Sequence, residues 1–370
     1  MKILRVAGDI YPEVVGGVGL HVHEMSKMQS EMGHDVTVLS KKTGEKPNRE
    51  FRDGYELYRY DPDIELFGNP ISLNVFNRLR SCVGDFDVVH AHSHLFFTTN
   101  LTAFLSKFRE TPLVITNHGL ESQTAPLWFS NLYNKTLGRW TFRQADAIIT
   151  YSKEEKQKIR ELGIKNKIET IHNGINTDTF KPLNQVEEKN QILWVGRFQP
   201  GKGVKHLIKA FKQLKNKGYK NLKLKMVGEG PLKKEIIKKT KKHGLDQSII
   251  FKDFTPNKEM PQLYNESKAF ILPSLTEGVP RTVLESLSCG TPVITTNLPQ
   301  LKQIVNGCGY MVHKKNPHQL AEKTSKLLNN ETKRNKFKEN GRKKIKKHYS
   351  WSDTVRKTNL VYKNLINSNQ

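Results

Sequence analysis

The feature that most limits how this chain folds is a repeating order: a short apolar run, a turn, a longer amphipathic stretch, then another short apolar run. Ile3 to Ala7 is the first run, and it stops at Gly8. An apolar run of about 4–8 residues between turn residues reads as a strand buried on both faces. Leu20 to Met32 then reads as a helix closed by Gly33. Val36–Leu39, Tyr55–Tyr60, Val88–Ala91, Leu113–Thr116 and Ala147–Thr150 read as further strands, with helical stretches such as Trp128–Arg143 between them. Strands that alternate with helices predict a parallel sheet covered on both faces.

The pattern breaks near Phe180. Lys181-Pro182 is followed by a polar stretch, Asn184 to Asn190, which reads as a linker. The cycle then restarts with Ile192–Val195 as strand, Val204–Leu214 as helix and Leu222–Val227 as strand. Ile249–Phe251, Ala269–Leu272 and Pro292–Thr295 continue it, and the segments from Pro317 onward read as helical. A chain of 370 residues suits two domains. The expected fold class is therefore α/β, with two Rossmann-like doubly wound domains, 1–182 and 183–351. Ligands of such folds bind beyond the carboxyl ends of the strands, and the cleft between two facing domains is the expected site.

The formal net charge is +25. Up to Pro182 there are 23 basic and 22 acidic residues, and beyond it 38 against 14, so the second half carries nearly the whole excess. Lys233–Lys242 and Lys333–Lys347 are the densest runs. Such runs read either as solvated helix faces or as a surface for anions, of which an anionic membrane is the favoured one. Zinc-finger spacing and the aromatic signature of RNA-recognition domains are missing, so no nucleic-acid partner is expected. No stretch approaches the ~20 apolar residues of a membrane span. The first residues, Met1 to Asp9, are charged too early for a signal peptide. Cys82, Cys289 and Cys308 are widely spaced and odd in number, which fits a reducing cytoplasm.

Several short motifs carry chemistry. Gly16-Gly17-Val18-Gly19 lies between the first strand and the first helix, where a bare backbone and free helix N–H groups suit a phosphate; a plain turn suits the same residues. Arg197 and Lys202 lie on a Gly/Pro-bent loop before a helix, a pair of cations matched to a diphosphate or to solvent. Neither loop has the G-x-G-x-x-G or G-x-x-x-x-G-K-[ST] spacing. Glu277 lies just before a helix that Pro280 opens and Gly290 closes, and Glu285 lies more than a turn inside it. Their carboxylates suit hydroxyl pairs, or else serve as an N-terminal charge and a solvated side chain. His118 follows a buried strand, either at a site or as a loop histidine bonded to backbone. His90, His92 and His94 share one face if extended, but without an acidic or cysteine partner at ligand spacing no metal is expected.

These residues, in this order, resemble the retaining glycosyltransferases of the GT-B group, family 4. The resemblance runs along almost the whole chain: the Gly16-Gly17 loop, Asp87-Val88-Val89-His90-Ala91-His92, the His118 loop, Ile171-His172-Asn173-Gly174-Ile175, Val195-Gly196-Arg197 with Lys202, and Val227-Gly228-Glu229-Gly230-Pro231. The sharpest piece is the E-x7-E motif from Glu277 to Glu285, followed by Cys289-Gly290-Thr291-Pro292. The resemblance implies a nucleotide-sugar donor and a glycan, lipid-linked or other hydroxyl acceptor. By that analogy Gly16 and Gly17 approach the nucleotide diphosphate, and Arg197 and Lys202 neutralise it. Glu277, with the backbone of Gly278 and Val279, positions the sugar hydroxyls; Glu285 takes the ribose, and His118 lies near the reacting carbon. It further implies retention of configuration without metal or cofactor, and a final helix, about 352–370, that returns to the first, acceptor-side domain. The chain departs from the commonest pattern at Gly278-Val279-Pro280-Arg281, which leaves the donor sugar open. Leu127-Trp128-Phe129 reads as core aromatics or as a contact with lipid or acceptor. Two alternatives carry other functions: a nucleotide-sugar epimerase or phosphorolytic enzyme on the same architecture, and a non-catalytic anion-binding protein.

Overall fold

The computed structural model describes residues 1–14, 17–66, 69–108, 110–120 and 125–368. Gly16, one of the expected donor-site residues, lies outside them. The chain divides into two compact units, Met1–Gly174 with Trp351–Gln370, and Ile175–Ser350.

In the first unit the elements run β1 (Lys2–Val6), α1 (Gly17–Glu31), β2 (Asp35–Lys41), β3 (Arg49–Arg52), β4 (Tyr55–Tyr60), β5 (Ile64–Leu66), β6 (Asn69–Ile71) and α2 (Leu73–Cys82). They continue as β7 (Val88–His92), α3 (Phe97–Ser106), β8 (Leu113–Thr116), α4 (Leu127–Tyr133), α5 (Arg139–Gln144), β9 (Ala147–Thr150), α6 (Lys153–Glu161) and β10 (Lys167–Thr170). The main sheet has the order β10-β9-β8-β7-β1-β2-β4-β3. Every pair in it is parallel except β3 with β4. Both faces are apolar, as the near-continuous runs require. One face packs Leu4, Val6, Val89 and Ile115 against Leu79 and Phe142, the other packs Ile3, Val38, Val88 and Val114 against Val22 and Tyr362. Each large side chain so buried contributes about 1.5–3 kcal/mol.

In the second unit the elements are β11 (Lys189–Val195), α7 (Val204–Asn216), β12 (Lys223–Val227), α8 (Lys233–Lys242), β13 (Ile249–Lys252), α9 (Met260–Asn265) and β14 (Ser267–Leu272). After them come α10 (Arg281–Ser288), β15 (Val293–Thr296), α11 (Lys302–Val305), β16 (Gly309–Val312), α12 (Pro317–Leu328) and α13 (Glu331–His348). The sheet order is β13-β12-β11-β14-β15-β16, all parallel. In both sheets the chain builds outward from its first strand in one direction, then reverses and builds in the other. Helix α7 shows why the local pattern folds as it does: Val204, Leu207, Ile208, Phe211 and Leu214 recur at helical spacing and are all buried.

The last helix, α14 (Trp351–Ser368), belongs to the first unit. Trp351 packs on Met25, the Thr354 hydroxyl donates to the His172 carbonyl at 2.8 Å, and Tyr362 hydrogen-bonds His90. The division after Gly174 precedes the Pro182 boundary expected from composition. Ile175 and Phe180 are fully buried in the second unit's core, and Lys189-Asn190 already form β11, so the polar stretch is part of that unit rather than a free linker.

Other expectations also change. The glycines after β1 read as a turn, yet α1 begins at Gly17. Gly19 is in its first turn, where a Cβ would stand 3.0 Å from the Ile10–Tyr11 backbone, so glycine permits the close packing of the preceding loop. Within that loop Glu13 accepts bonds from Arg52 and Arg59; against the cost of desolvation, these hold its carboxyl down at about 2. Trp128 is 68% exposed, so it is not a core aromatic. His94 leaves the face shared by His90 and His92 because the strand ends at His92 and Ser93 takes φ 63°. Its ring bonds Asn134 and stacks on Phe142 instead.

Gly203 joins the loop after β11 to α7 with φ +66°, and a Cβ there would lie 2.0 Å from the Pro273 carbonyl oxygen. A side chain meets both backbone strain and a clash that only backbone movement relieves. Gly203→Ala is expected to lower stability by about 2–4 kcal/mol. Urea denaturation reads it as a lower midpoint with an unchanged slope.

Candidate active site

In each sheet, two neighbouring strands carry connections that leave in opposite directions. These are β1 and β7 in the first unit, β11 and β14 in the second. Loops diverge at their carboxyl ends and open a crevice there. The candidate residues gather at these two points.

In the second unit, β11 leads into Gly196-Arg197 and then a tight turn at Pro200–Lys202. β14 leads into the loop that carries Glu277 and then into α10. The two loops are tied by a bond from Leu275 N–H to the Gly201 carbonyl at 2.8 Å. Lys202 Nζ lies 2.7 and 2.9 Å from the two carboxylate oxygens of Glu277. The side chains are 22% and 8% exposed, so this pair is shielded far more than a surface ion pair. Gln300 donates to the Glu277 carbonyl and fixes the backbone of the same loop. Arg197 is exposed, and among the described residues its guanidinium has no hydrogen-bond or ion-pair partner. Gly278 is exposed and Val279 half-buried against the core, with Pro280 capping α10 rather than lying in its first turn.

Glu285 differs from the solvated side chain that its position in sequence allowed. It is buried inside α10, where the Tyr264 hydroxyl donates to Oε2 at 2.8 Å and Arg281 Nε stands 3.7 Å from Oε1. Burial raises its pKa above the usual carboxylate value, while Arg281 and Tyr264 act against that rise. Arg281 was legible as an i, i+4 partner of Glu285. Tyr264 lies on another helix, and nothing in the local sequence pointed to it.

In the first unit, His118 follows β8 and sits among rings. Its Nε2 is 3.1 Å from His92 Nδ1, and its Nδ1 is 3.0 Å from the Tyr151 hydroxyl. His21, from the buried face of α1, is 3.1 Å from Asn173 Oδ1 and 3.3 Å from the same tyrosine hydroxyl. Desolvation, and then the neighbouring His21, push the His118 pKa well below 6.5, so the ring is neutral at pH 7. It is thus a hydrogen-bonding group rather than a cation. The sequence pointed to His118 and, within the Ile171–Ile175 motif, to Asn173, but not to His21 or Tyr151, which come from two other segments. At Gly17 a Cβ would meet nothing within 4 Å, and the same holds at Gly278, so neighbouring atoms do not demand glycine at either position.

His90 is tied to Tyr362 and Thr116, and His92 to His118. Among the described residues no three His, Cys, Asp or Glu side chains are grouped to hold a metal ion. None of the helices described is long and apolar enough to cross a membrane.

Comparison with known proteins adds to this geometry. A family model described as Glycosyltransferase Family 4 matches residues 15–179, and one described as Glycosyl transferases group 1 matches residues 175–344. Glycogen synthase of Mycobacterium tuberculosis is 27% identical over 394 residues, covering 98% of this chain and 94% of that protein. Among solved structures, sucrose-phosphate synthase from Thermosynechococcus elongatus superposes with a TM-score of 0.80 at 18% identity, covering 99% of both chains. Anabaena HepE, solved in complex with UDP-glucose, gives a TM-score of 0.77 at 17% identity, covering 100% of both. One family model covers most of the first unit and the other most of the second, so the chain belongs to the family 4 glycosyltransferases of the GT-B group.

Proposed function

We propose that the chain moves a hexose-type sugar from a UDP- or GDP-sugar to a hydroxyl of a glycan or lipid-linked acceptor, with retention of anomeric configuration and without a metal. The observation that carries this reading is the shielded Lys202–Glu277 pair at the reversal point of the second sheet, with Lys202 on the same loop after β11 as Arg197. It sets a cation and a carboxylate together, with a second cation on the same loop. Arg197 and Lys202 would bind the diphosphate, whose charge grows as the bond to the sugar breaks. Glu277 would turn from Lys202 towards sugar hydroxyls, with the backbone of Gly278 and Val279 adding donors. Oε1 of Glu285 would take a ribose hydroxyl, with Tyr264 holding Oε2. Gly16 and Gly17 would let the first unit's backbone approach the nucleotide, consistent with the open space at Gly17. His118, neutral and held by Tyr151 and His92, would stand beside the transferred sugar.

In the step proposed, the bond from the anomeric carbon to the phosphate oxygen breaks. The acceptor oxygen bonds to that carbon on the same face, and the acceptor proton passes to the departing phosphate. The two cations supply the positive charge that the leaving group needs. UDP-glucose in HepE and the polysaccharide product named for glycogen synthase support a nucleotide-sugar donor and a glycan acceptor. Helices α8 and α13 carry +12 of the second half's excess of +24, and we assign to their basic residues a peripheral contact with an anionic membrane at its cytoplasmic face.

Three outcomes test these assignments. A panel of UDP, GDP and their sugar conjugates is expected to raise the melting temperature for one base only, by about 5 °C at a hundredfold excess over Kd, with no change on adding EDTA. Glu277→Ala and Lys202→Ala are each expected to lower transfer about 10²–10³-fold, read as kcat/KM with the stabilising donor; wild-type rates would remove these residues from the site. Co-sedimentation with phosphatidylglycerol vesicles is expected to be lost at about 0.5 M salt and absent with neutral vesicles.

A further inference from the structure

Behind His118 lies a carboxylate that the proposed reaction does not use. Glu155 is the third residue of α6, and its N–H donates to the capping hydroxyl of Ser152 at 3.1 Å. In the usual reciprocal cap the glutamate reaches back to the N–H of the cap residue itself. Here it reaches further. Oε2 accepts from the Tyr151 N–H at 2.8 Å, and Oε1 accepts from Asn117 Nδ2 at 2.7 Å. Asn117 directly precedes His118 in the chain, and the Tyr151 hydroxyl is 3.0 Å from His118 Nδ1. One side chain therefore grips His118 from the residue that precedes it and from its ring partner.

We infer that Glu155 is a positioning residue for His118: its ionised carboxylate holds Asn117 and Tyr151, and through them the orientation and tautomer of the imidazole. The inference rests on the proposed place of His118 beside the transferred sugar. Asn117 Nδ2 and the Tyr151 N–H are both donors, so the grip needs two accepting oxygens. A protonated carboxyl turns one of them into a donor and loses a bond.

Desolvation raises the pKa of Glu155 to about 7 against the opposing bonds from Tyr151 and Asn117, so this proton comes on in the neutral range. Other titratable groups pack around it, among them His172, whose Nδ1 is 2.8 Å from the Tyr151 carbonyl oxygen. Lys158, on the same helix, is the charged side chain whose field reaches Glu155. Lys156 is bonded to the Ile168 carbonyl, and Lys167 and Glu169 of β10 face each other at 3.8 Å. The His118 ring stays neutral because its pKa lies well below 6.5. The sign follows. Above about pH 7 the carboxylate is ionised and the grip complete, and below it one bond is lost. Stability runs the other way, because a carboxyl whose folded pKa is raised favours the fold at low pH and loses that contribution as pH rises through about 7. Glu155→Gln, neutral at every pH, is therefore expected to fold.

The test labels the full chain with ¹⁵N-histidine and follows the His118 ring nitrogens from about pH 5.5 to 8.5, identified by their loss in His118→Asn. The expected wild-type result is a step with a midpoint near pH 7 and no imidazolium. The step should be absent in Glu155→Gln. Turnover of the nucleotide sugar that stabilises the wild type should fall about tenfold or more in Glu155→Gln, in kcat with KM little changed, and should lose its rise through neutral pH. A purely structural glutamate would lower the melting temperature without moving the pH profile. Identical His118 signals and identical profiles in both proteins overturn the inference. If Glu155→Gln does not fold, the wild-type titration decides alone, and a missing step overturns it. A wild type that shows the step but turns over no nucleotide sugar refutes the transferase reading and leaves the grip on His118 standing.

Discussion

Parallel strands cannot be joined by a tight turn, so every connection must cross the sheet and return. All strands then point one way, and all the loops that follow them collect at one edge. In each unit the first strand lies inside the sheet, at β1 and at β11, and the chain builds to one side before reversing to the other. At the reversal the loops part, and polar side chains reach a place that apolar strands could not offer. Lys202 and Glu277 are 75 residues apart in sequence yet within 2.7 Å because their strands, β11 and β14, are neighbours at that reversal. His118 depends on the same constraint, since β7, β8 and β9 bring His92, Asn117 and Tyr151 to one edge.

The two units treat charge differently at these edges. The first gathers histidines, tyrosine and asparagine, and desolvation keeps the imidazoles of His90, His92 and His118 neutral. A neutral imidazole among donors and acceptors can orient hydroxyls. The second unit sets basic and acidic side chains against each other, as the Lys202–Glu277 pair and the Arg281–Glu285 approach at 3.7 Å. Buried carboxylates held by specific donors are costly to maintain, and their cost is offset by the packed strands and helices beneath them. Glu155 follows the same logic in the first unit: an acid raised to about 7 serves stability less well than a neutral residue would.

Much of this was legible in the chain itself. The strands Tyr55–Tyr60, Leu113–Thr116 and Ala147–Thr150 appear where the apolar runs stood. The helix that Pro280 opens ends at Ser288, ahead of Gly290, whose φ of +76° suits a helix end. Some elements were not read. β3 is an exposed hairpin strand with weak apolar alternation, although the Asp53-Gly54 turn, with φ of 46° and 88°, was its available signal. β16 begins with Gly309 and follows Gly307, so the short run Tyr310–Val312 was not separated from a turn. Phe180 shows a different failure. Its polar surroundings argued for a linker, but a single aromatic side chain anchors the segment in the second core.

The sequence by itself determined the parallel α/β architecture and the uneven charge, and it marked His118, Arg197, Lys202, Glu277 and Glu285 as the candidate residues. These follow from local spacing, turn residues and residue type, which act over a few positions. Only the tertiary structure decided which of them meet and in what electrostatic state. It paired Lys202 with Glu277, left Arg197 without a partner among the described residues, buried Glu285 beneath Tyr264, and set Glu155 behind His118. Strand order sets those contacts, and strand order arises from how distant apolar faces pack, which no window of sequence contains.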